Sequence, residues 1–383
     1  MIYLDNAATT WPKPEEVYLA VDTCLRGIGG NPGRGGHGNA RMAGHILYQA
    51  REALAQLLNI KQPTNIIFTY NATDALNTAI LGSLKAVDHI VTTSMEHNAI
   101  ARPLRSLEKC GTNLTVVVSD KQGRTDLSAV EQALKTGAKA VVMSHASNVT
   151  GTIMPIAEVG AMAVQYGSLF IVDAAQTAGV EMIDVEQMNI DMLAFSGHKG
   201  LFGPQGTGGL YVRPGVEISP LRYGGTGSLS ELDIQPEFLP DRLESGTPNT
   251  PGIAGLLAGV KFILKTGQEN IRVKELELAK KLIDGLNNIP EVEVYGPIST
   301  NDRTAVVSFN IEGMDGGEVA HLLDSEFEIA CRAGLHCAPW AHRTIGTINT
   351  GTVRFSPGYF NSKEDVDNAL AAVNALGRRR RFK

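Results

Sequence analysis

The chain has 383 residues, with 34 lysines and arginines against 40 acidic residues, a net charge of −6. That mild, dispersed acidity excludes a general nucleic-acid or membrane-surface binder, and the length predicts two domains, or one large domain with a satellite. Glycine is in excess, 41 residues or about 11% against a usual level of roughly 7%, which points to tight backbone turns around a ligand. Met1-Ile2-Tyr3-Leu4-Asp5 lacks the basic start and apolar run of a signal peptide, and no apolar run is long enough to span a bilayer. With 4 cysteines (Cys24, Cys110, Cys331, Cys337) and no C-x-x-C pair, the expected setting is a reducing cytoplasm.

Ile46, Leu47, Ala50, Leu54, Leu57 and Leu58 fall on one helical face, with Arg51, Glu52 and Gln56 expected opposite. Short β-rich runs follow at 66–69, 89–92, 114–118, 140–143, 169–172 and 192–195. Helical stretches separate several of them, such as 126–135, with Asp126 placed to cap, and 155–166, with Pro155 in the first turn. Continuous apolar strands between helices predict a mostly parallel sheet covered on both faces, an α/β fold. Two longer helices, 253–265 and 269–287, lead into strands at 292–295, 305–309 and 352–355, mixed with helices near 315–325 and 363–376. That closing part reads as a smaller α+β domain. The run Arg378 to Arg381 reads as a solvated tail.

Open α/β sheets bind ligands beyond the carboxyl ends of their strands. The residues that follow the strands here include Thr73, His97, Asn148, Asp173, Gln176, Ser196, His198 and Lys199, which jointly specify a polar site. Asp173 ends an apolar strand, where an ionised carboxylate needs a cation partner. A ligand that brings a protonated pyridine nitrogen fits, and the carboxylate would keep that nitrogen protonated. Gln176 is placed to reach a ring hydroxyl, and Thr73, Ser196 and His198 to hold a phosphate near a helix start. Lys199 is the candidate for a Schiff base. Further along, Val353 and Phe355 flank Arg354, so if they face a core Arg354 faces away from it, where its planar fork suits a substrate carboxylate; Arg332 carries the same expectation. Cys337 sits in the glycine-led polar loop Gly334-Leu335-His336-Cys337-Ala338 and is the candidate nucleophile, whereas Cys331 reads as a strand-end thiol. Cys331, His336, Cys337 and His342 match no usual zinc spacing, so no metal site is expected. Gly33-Arg34-Gly35-Gly36-His37-Gly38 formally matches G-x-G-x-x-G but follows a helical segment instead of a strand, which fails the dinucleotide context.

Tyr3-Leu4-Asp5-Asn6-Ala7-Ala8, Glu96-His97, Val172-Asp173-Ala174-Ala175-Gln176, Ser196-Gly197-His198-Lys199 and Arg332-Ala333-Gly334-Leu335-His336-Cys337-Ala338 together resemble the signature set of class V aminotransferase-like enzymes that use pyridoxal phosphate (PLP), specifically the Suf-type cysteine desulfurases and selenocysteine lyases. The resemblance runs to about residue 361. It implies the PLP fold-type I architecture, with a large domain over 16–257 and a small domain from 1–15 plus 258–383, and a homodimer with sites at its interface. It implies His97 stacked on the ring and moving protons, Asn148 and Gln176 near the ring oxygen, Asp173 on the ring nitrogen, and Lys199 as the amine that carries PLP. It assigns Thr247 to the partner subunit's phosphate, and Arg34 and His37 to a substrate-side loop. The implied reaction turns L-cysteine into L-alanine with the sulfur left on Cys337, within sulfur metabolism such as iron–sulfur cluster assembly, with a sulfur-acceptor protein as a further partner. The alternatives are a selenocysteine or cystine-type C–S lyase on the same scaffold and a largely inactive PLP-bound partner protein. Leu335, where the family usually has histidine, the stretch Ala338-Pro339-Trp340-Ala341-His342 and the loop Gly224 to Ser228 depart from the family pattern.

Overall fold

Apolar runs too short for helices, each bounded by turn residues, bury both faces only within a parallel sheet. The computed structural model describes residues 1–33 and 35–380, and opens with β1 (Ile2–Tyr3), α1 (Glu15–Gly27) and α2 (Gly38–Leu58). It then alternates through β2 (Ile66–Thr69), α3 (Ala72–Ser83), β3 (His89–Thr93), α4 (Asn98–Lys109), β4 (Asn113–Val117) and α5 (Leu127–Leu134). The alternation continues with β5 (Ala140–Ser144), α6 (Ile156–Tyr166), β6 (Leu169–Asp173), β7 (Met192–Ser196) and β8 (Gly208–Val212). These form a 7-stranded sheet in the order β2-β8-β7-β6-β5-β3-β4, parallel except at β8. β5 lies beside β3 although β4 separates them in the chain, so the winding reverses there. A crevice opens at such a reversal, beyond the carboxyl ends of the strands.

Alternation along the strands feeds two cores. Val141 and Met143 join the α2 residues Leu47, Leu54 and Leu58 on one face, while Ala140 and Val142 join Leu76 and Ile80 of α3 and Ile100 and Leu104 of α4 on the other. The helices begin where the sequence supplies caps. Asn71 accepts from Asp74 N–H at the start of α3, and Asp126 accepts from Ser128 N–H at the start of α5. Pro155 stands just before α6, outside its first turn.

The chain continues through α7 (Thr250–Thr266), α8 (Gln268–Asn287), β9 (Val292–Tyr295), β10 (Val307–Ile311), α9 (Gly316–Phe327), β11 (Ile329–Ala330), β12 (Arg332–Gly334), α10 (Pro339–Ile345), β13 (Thr352–Phe355) and α11 (Lys363–Arg380). β12-β13-β10-β9 form an antiparallel sheet, and β1 pairs in parallel with β11. A separate core gathers Leu4, Leu282 and Leu286 of α8, Leu323 of α9, and Val353 and Phe355 of β13. The amino terminus is thus stitched into the closing part of the chain.

Three further expectations are corrected. β8 is absent from the expected strands because Gly208-Gly209 depresses strand propensity. Contact demands both glycines: a Cβ on Gly209 would lie 2.2 Å from the Phe195 ring, and one on Gly208 2.7 Å from the Asn71 backbone. β10 starts at Val307 instead of 305, because the Val306 carbonyl accepts from the buried Arg303 guanidinium outside the ladder. Arg51 is buried instead of facing solvent. Its Nη2 meets Glu244 at 2.6 Å, its Nε donates to the Ile66 carbonyl at 3.0 Å, and its guanidinium lies 4.6 Å from the Phe68 ring centroid. The partner carboxylate is 193 residues away in sequence, beyond the reach of any local pattern.

Candidate active site

Beyond the carboxyl ends of β2, β3, β5, β6 and β7 lies a cavity of about 280 Å3. Its wall brings together Thr73, His97, Asn148, Asp173, Gln176, Ser196, His198 and Lys199, one or more from each strand end. The sequence folds this way because each of these strands has an apolar run through its middle and turns polar toward its carboxyl end. Asp173 is the last residue of β6, Ser196 the last of β7, and Thr73 lies in the first turn of α3.

The wall is electrostatically tense. Asp173 is buried, and its Oδ1 accepts from Ala175 N–H at 2.8 Å. Burial pushes its carboxyl pKa up, while that hydrogen bond and the Lys199 ammonium pull it down. Burial also lowers Lys199 to about 8, assisted by the positive charges of Arg354 and Arg332. An amine near neutral pKa is a competent nucleophile. His97 caps α4, its Nδ1 accepting from Ala99 N–H at 3.0 Å, so the ring proton resides on Nε2. Burial first, then Lys199 and neighbouring arginines, lower its pKa to about 4, so the ring is neutral. His198 is likewise lowered to about 4 by burial, and its buried Nδ1 has no hydrogen-bond partner.

Two arginines and a cysteine stand near this wall. Val353 and Phe355 are in the small core, and Arg354 turns the other way. Its Nη1 donates to the Asn148 carbonyl at 3.0 Å and its Nη2 meets Asp5 Oδ1 at 2.8 Å, while its Nε is buried and unpartnered. Arg332 lies opposite Arg354 in the β12–β13 ladder, and its Nη2 is 3.7 Å from Cys337 Sγ. Cys337 is exposed on a loop held to the cavity at two points. Asn148 Nδ2 donates to the His336 carbonyl at 2.7 Å, and Asn98 N–H donates to the Cys337 carbonyl at 2.8 Å. His336 and Cys337 both adopt left-handed backbone, with φ of 48° and 58°, a conformation that costs energy for residues with a Cβ. The His336 ring points inward, its Nε2 3.0 Å from the Thr352 carbonyl and hydroxyl. Cys331 is half-buried, and burial pushes its thiol up to about 12.

Some expected residues lie elsewhere. Thr247 lines a different cavity of about 360 Å3, and its hydroxyl accepts from Asn31 Nδ2 at 3.1 Å. His37 is exposed and caps α2. Arg34 lies outside the described residues. Conversely, the structure adds Thr10 and Lys13, which carry no local signal. Thr10 Oγ1 donates to the Lys199 carbonyl at 2.8 Å, Lys13 Nζ to the His198 carbonyl at 2.9 Å, and Gln176 Nε2 to the Ala7 carbonyl at 3.1 Å, so the amino-terminal arm clasps the Ser196–Lys199 turn. Glu96 is fully buried beneath the cavity; its Oε2 accepts from Ser144 N–H at 2.8 Å and Ser144 Oγ at 2.7 Å, and its Oε1 is 2.5 Å from Thr93 Oγ1. Burial raises Glu96 to about 7 against those hydrogen bonds, with Asp173 adding to the rise.

The family model for class-V aminotransferases matches residues 2–369. A protein of Pyrococcus abyssi described as a probable cysteine desulfurase is 38% identical, the match covering 98% of this chain and 94% of that one. The apo cysteine desulfurase structure from Thermococcus onnurineus superposes with a TM-score of 0.93 at 36% identity, over 98% of this chain and 94% of the other. An Escherichia coli cysteine desulfurase in its S-sulfonic acid form gives 0.88 at 30% identity, over 98% and 94%. With the fold, the strand-end cavity and these matches in agreement, the chain belongs to the class-V aminotransferase family.

Proposed function

We propose that the protein is a PLP-dependent cysteine desulfurase, which converts L-cysteine to L-alanine and leaves the sulfur as a persulfide on Cys337. The observation that carries this reading is the pairing of a half-buried Lys199 and a buried Asp173 on one cavity wall with an exposed Cys337 on a loop bound to that cavity. PLP fits the residues present. Asp173 is a buried acid suited to a ring N–H⁺, His198 offers an unpartnered Nδ1, and Thr73 places the start of α3 where a phosphate gains from backbone N–H groups. When bound, PLP supplies a protonated ring that accepts electrons from the substrate.

The chain's own groups divide the remaining work. Asp173 would hold the proton on the ring nitrogen, and Thr73, Ser196 and His198 would hold the phosphate. Lys199 would carry PLP on its amine. His97, neutral with its proton on Nε2, would pack on the ring and exchange protons with the substrate. Gln176 and Asn148 would stand near the ring oxygen, and Arg354, Arg332 and Asn148 would hold the substrate carboxylate. Cys337 attacks the substrate sulfur as a thiolate; the sulfur–sulfur bond forms as the carbon–sulfur bond breaks, and the proton released by the thiol is matched by the one that completes alanine.

The working unit is a homodimer in which Thr247, Arg34 and His37 serve the neighbouring site, and each subunit divides into a large domain over 16–257 and a small one from 1–15 plus 258–383. Among the described residues no helix is long and apolar enough to cross a membrane, and a free Cys337 thiol suits a reducing cytoplasm. A panel of cysteine, selenocysteine and cystine, scored for alanine and for sulfide or selenide, tests the reading. Cysteine is expected to yield equimolar alanine and Cys337-bound sulfur, both lost in Cys337→Ser. Full cysteine turnover in Cys337→Ser, with the labile sulfur on Cys331, would overturn it.

A further inference from the structure

We propose that the groove between α4 and Trp340 is a docking surface for an acidic protein segment carrying the thiol that accepts sulfur from Cys337; this rests on the desulfurase reading and extends it to the partner. The groove, about 280 Å3, is lined by Asn98, Ala101, Arg102, Arg105, Lys109 and Trp340. It begins at the Cys337 loop, because Asn98, its first residue, donates its backbone N–H to the Cys337 carbonyl. Trp340 follows that loop by three residues and lies under the Arg105 guanidinium, 4.8 Å from ring centroid to Cζ.

The cations follow helical geometry. Arg102, Arg105 and Lys109 are exposed and stand at i, i+3 and i+7, one face of α4. At 1.5 Å per residue they span about 10 Å, too long for the carboxylate of one small thiol and suited to a stretch of polypeptide. Arg102 and Lys109 form no ion pair among the described residues, whereas Arg105 shares Glu108 at 2.6 Å. Arg102 is near enough to act on His97 inside the cavity, and Arg332 stands beside Cys337 Sγ. A chain with net charge −6 thus concentrates cations at the exit of its site, where they steer an acidic partner inward. The transfer balances: the acceptor thiolate attacks the outer sulfur of the persulfide, a new sulfur–sulfur bond forms as the old one breaks, and Cys337 leaves as a thiolate that takes up the acceptor's proton. No external oxidant or reductant is required.

The test uses PLP-loaded protein charged with radiolabelled cysteine sulfur and freed of substrate, offered synthetic peptides with a single cysteine flanked by glutamates, glutamines or lysines. The glutamate peptide is expected to remove the label about tenfold faster than the glutamine peptide at low salt, with the advantage shrinking as salt rises. In Arg105→Glu/Lys109→Glu the order reverses toward the lysine peptide. Equal rates for the three peptides, or equally fast removal by free cysteine, would overturn the proposal. A second measurement needs no persulfide. In a Trp11→Phe background Trp340 is the remaining tryptophan of 2, and a glutamate peptide with serine for cysteine should shift its fluorescence saturably, an effect lost in the double variant. No Trp340 response overturns the docking surface, whereas a Trp340 response without any label on Cys337 overturns the desulfurase reading and leaves the surface standing.

Discussion

Asp173 and Glu96 show how much chemistry a buried carboxyl contributes when its surroundings are held. Asp173 is expected to act through charge, so Asp173→Asn should retain PLP but lower turnover on the order of 10²–10³-fold; wild-type rates would remove it from the reaction. Glu96 makes a separate prediction in PLP-free protein. Its folded pKa of about 7 stands above the ordinary 4.5, so between these values the folded state binds the extra proton and stability falls as pH rises. Glu96→Gln removes that loss. The melting temperature of Glu96→Gln relative to the unaltered protein should therefore climb from pH 5 to pH 8, and a constant difference over this range would refute the assignment. Arg354→Lys is expected to raise KM for cysteine at least about tenfold, since an ammonium does not reproduce the planar fork, with the PLP absorption spectrum unchanged.

At the scale of elements, β2 is an edge strand held by charge as well as by its ladder. Arg51 from α2 reaches the Ile66 carbonyl and Glu244, and Glu244 also accepts from Phe68 N–H at 2.6 Å, so one buried ion pair fastens helix, strand and the loop leading to Thr247. Removing one partner of a buried pair strands the other charge. Arg51→Ala is expected to destabilise the protein by about 3–5 kcal/mol in denaturant unfolding, and Arg51→Ala/Glu244→Ala by less than Arg51→Ala alone. Equal losses would show that packing of the arginine stem, and not the charge pair, matters there. The Cys337 loop is a second case of long-range assembly. Its left-handed residues persist because Asn148 and Asn98, from different layers, hold two successive carbonyls.

For the whole molecule, the consequential prediction is that each site is completed by the other subunit. Thr247 lies outside the cavity of its own subunit. Lys199→Ala and Thr247→Ala should each have little activity alone, whereas refolding them together should create mixed dimers with one intact site. Recovery toward a quarter of wild-type activity is the expected order of magnitude, because about half the dimers are mixed and each holds one site of the usual pair. No recovery, or a fully active monomer in sedimentation, would sink the shared site.

The parts legible in the sequence were those set by neighbours along the chain. Apolar runs such as 169–172 defined β6 and Asp173 at its end, and the same rule placed Thr73, His97, Ser196 and Lys199 at strand ends, because a parallel sheet must stay apolar until it meets its ligand. The parts that required the tertiary structure were those set by groups far apart in the chain. Nothing near Arg51 signals Glu244, nothing near Arg354 signals Asp5 349 residues away, and Gly208-Gly209 weakens a strand that Phe195 and Asn71 nevertheless require. Local pattern reports which face of an element is apolar, since burial repeats with helix and strand period. Which charge is buried, and against what, depends on the partner that desolvation makes obligatory, and only the folded chain brings that partner near.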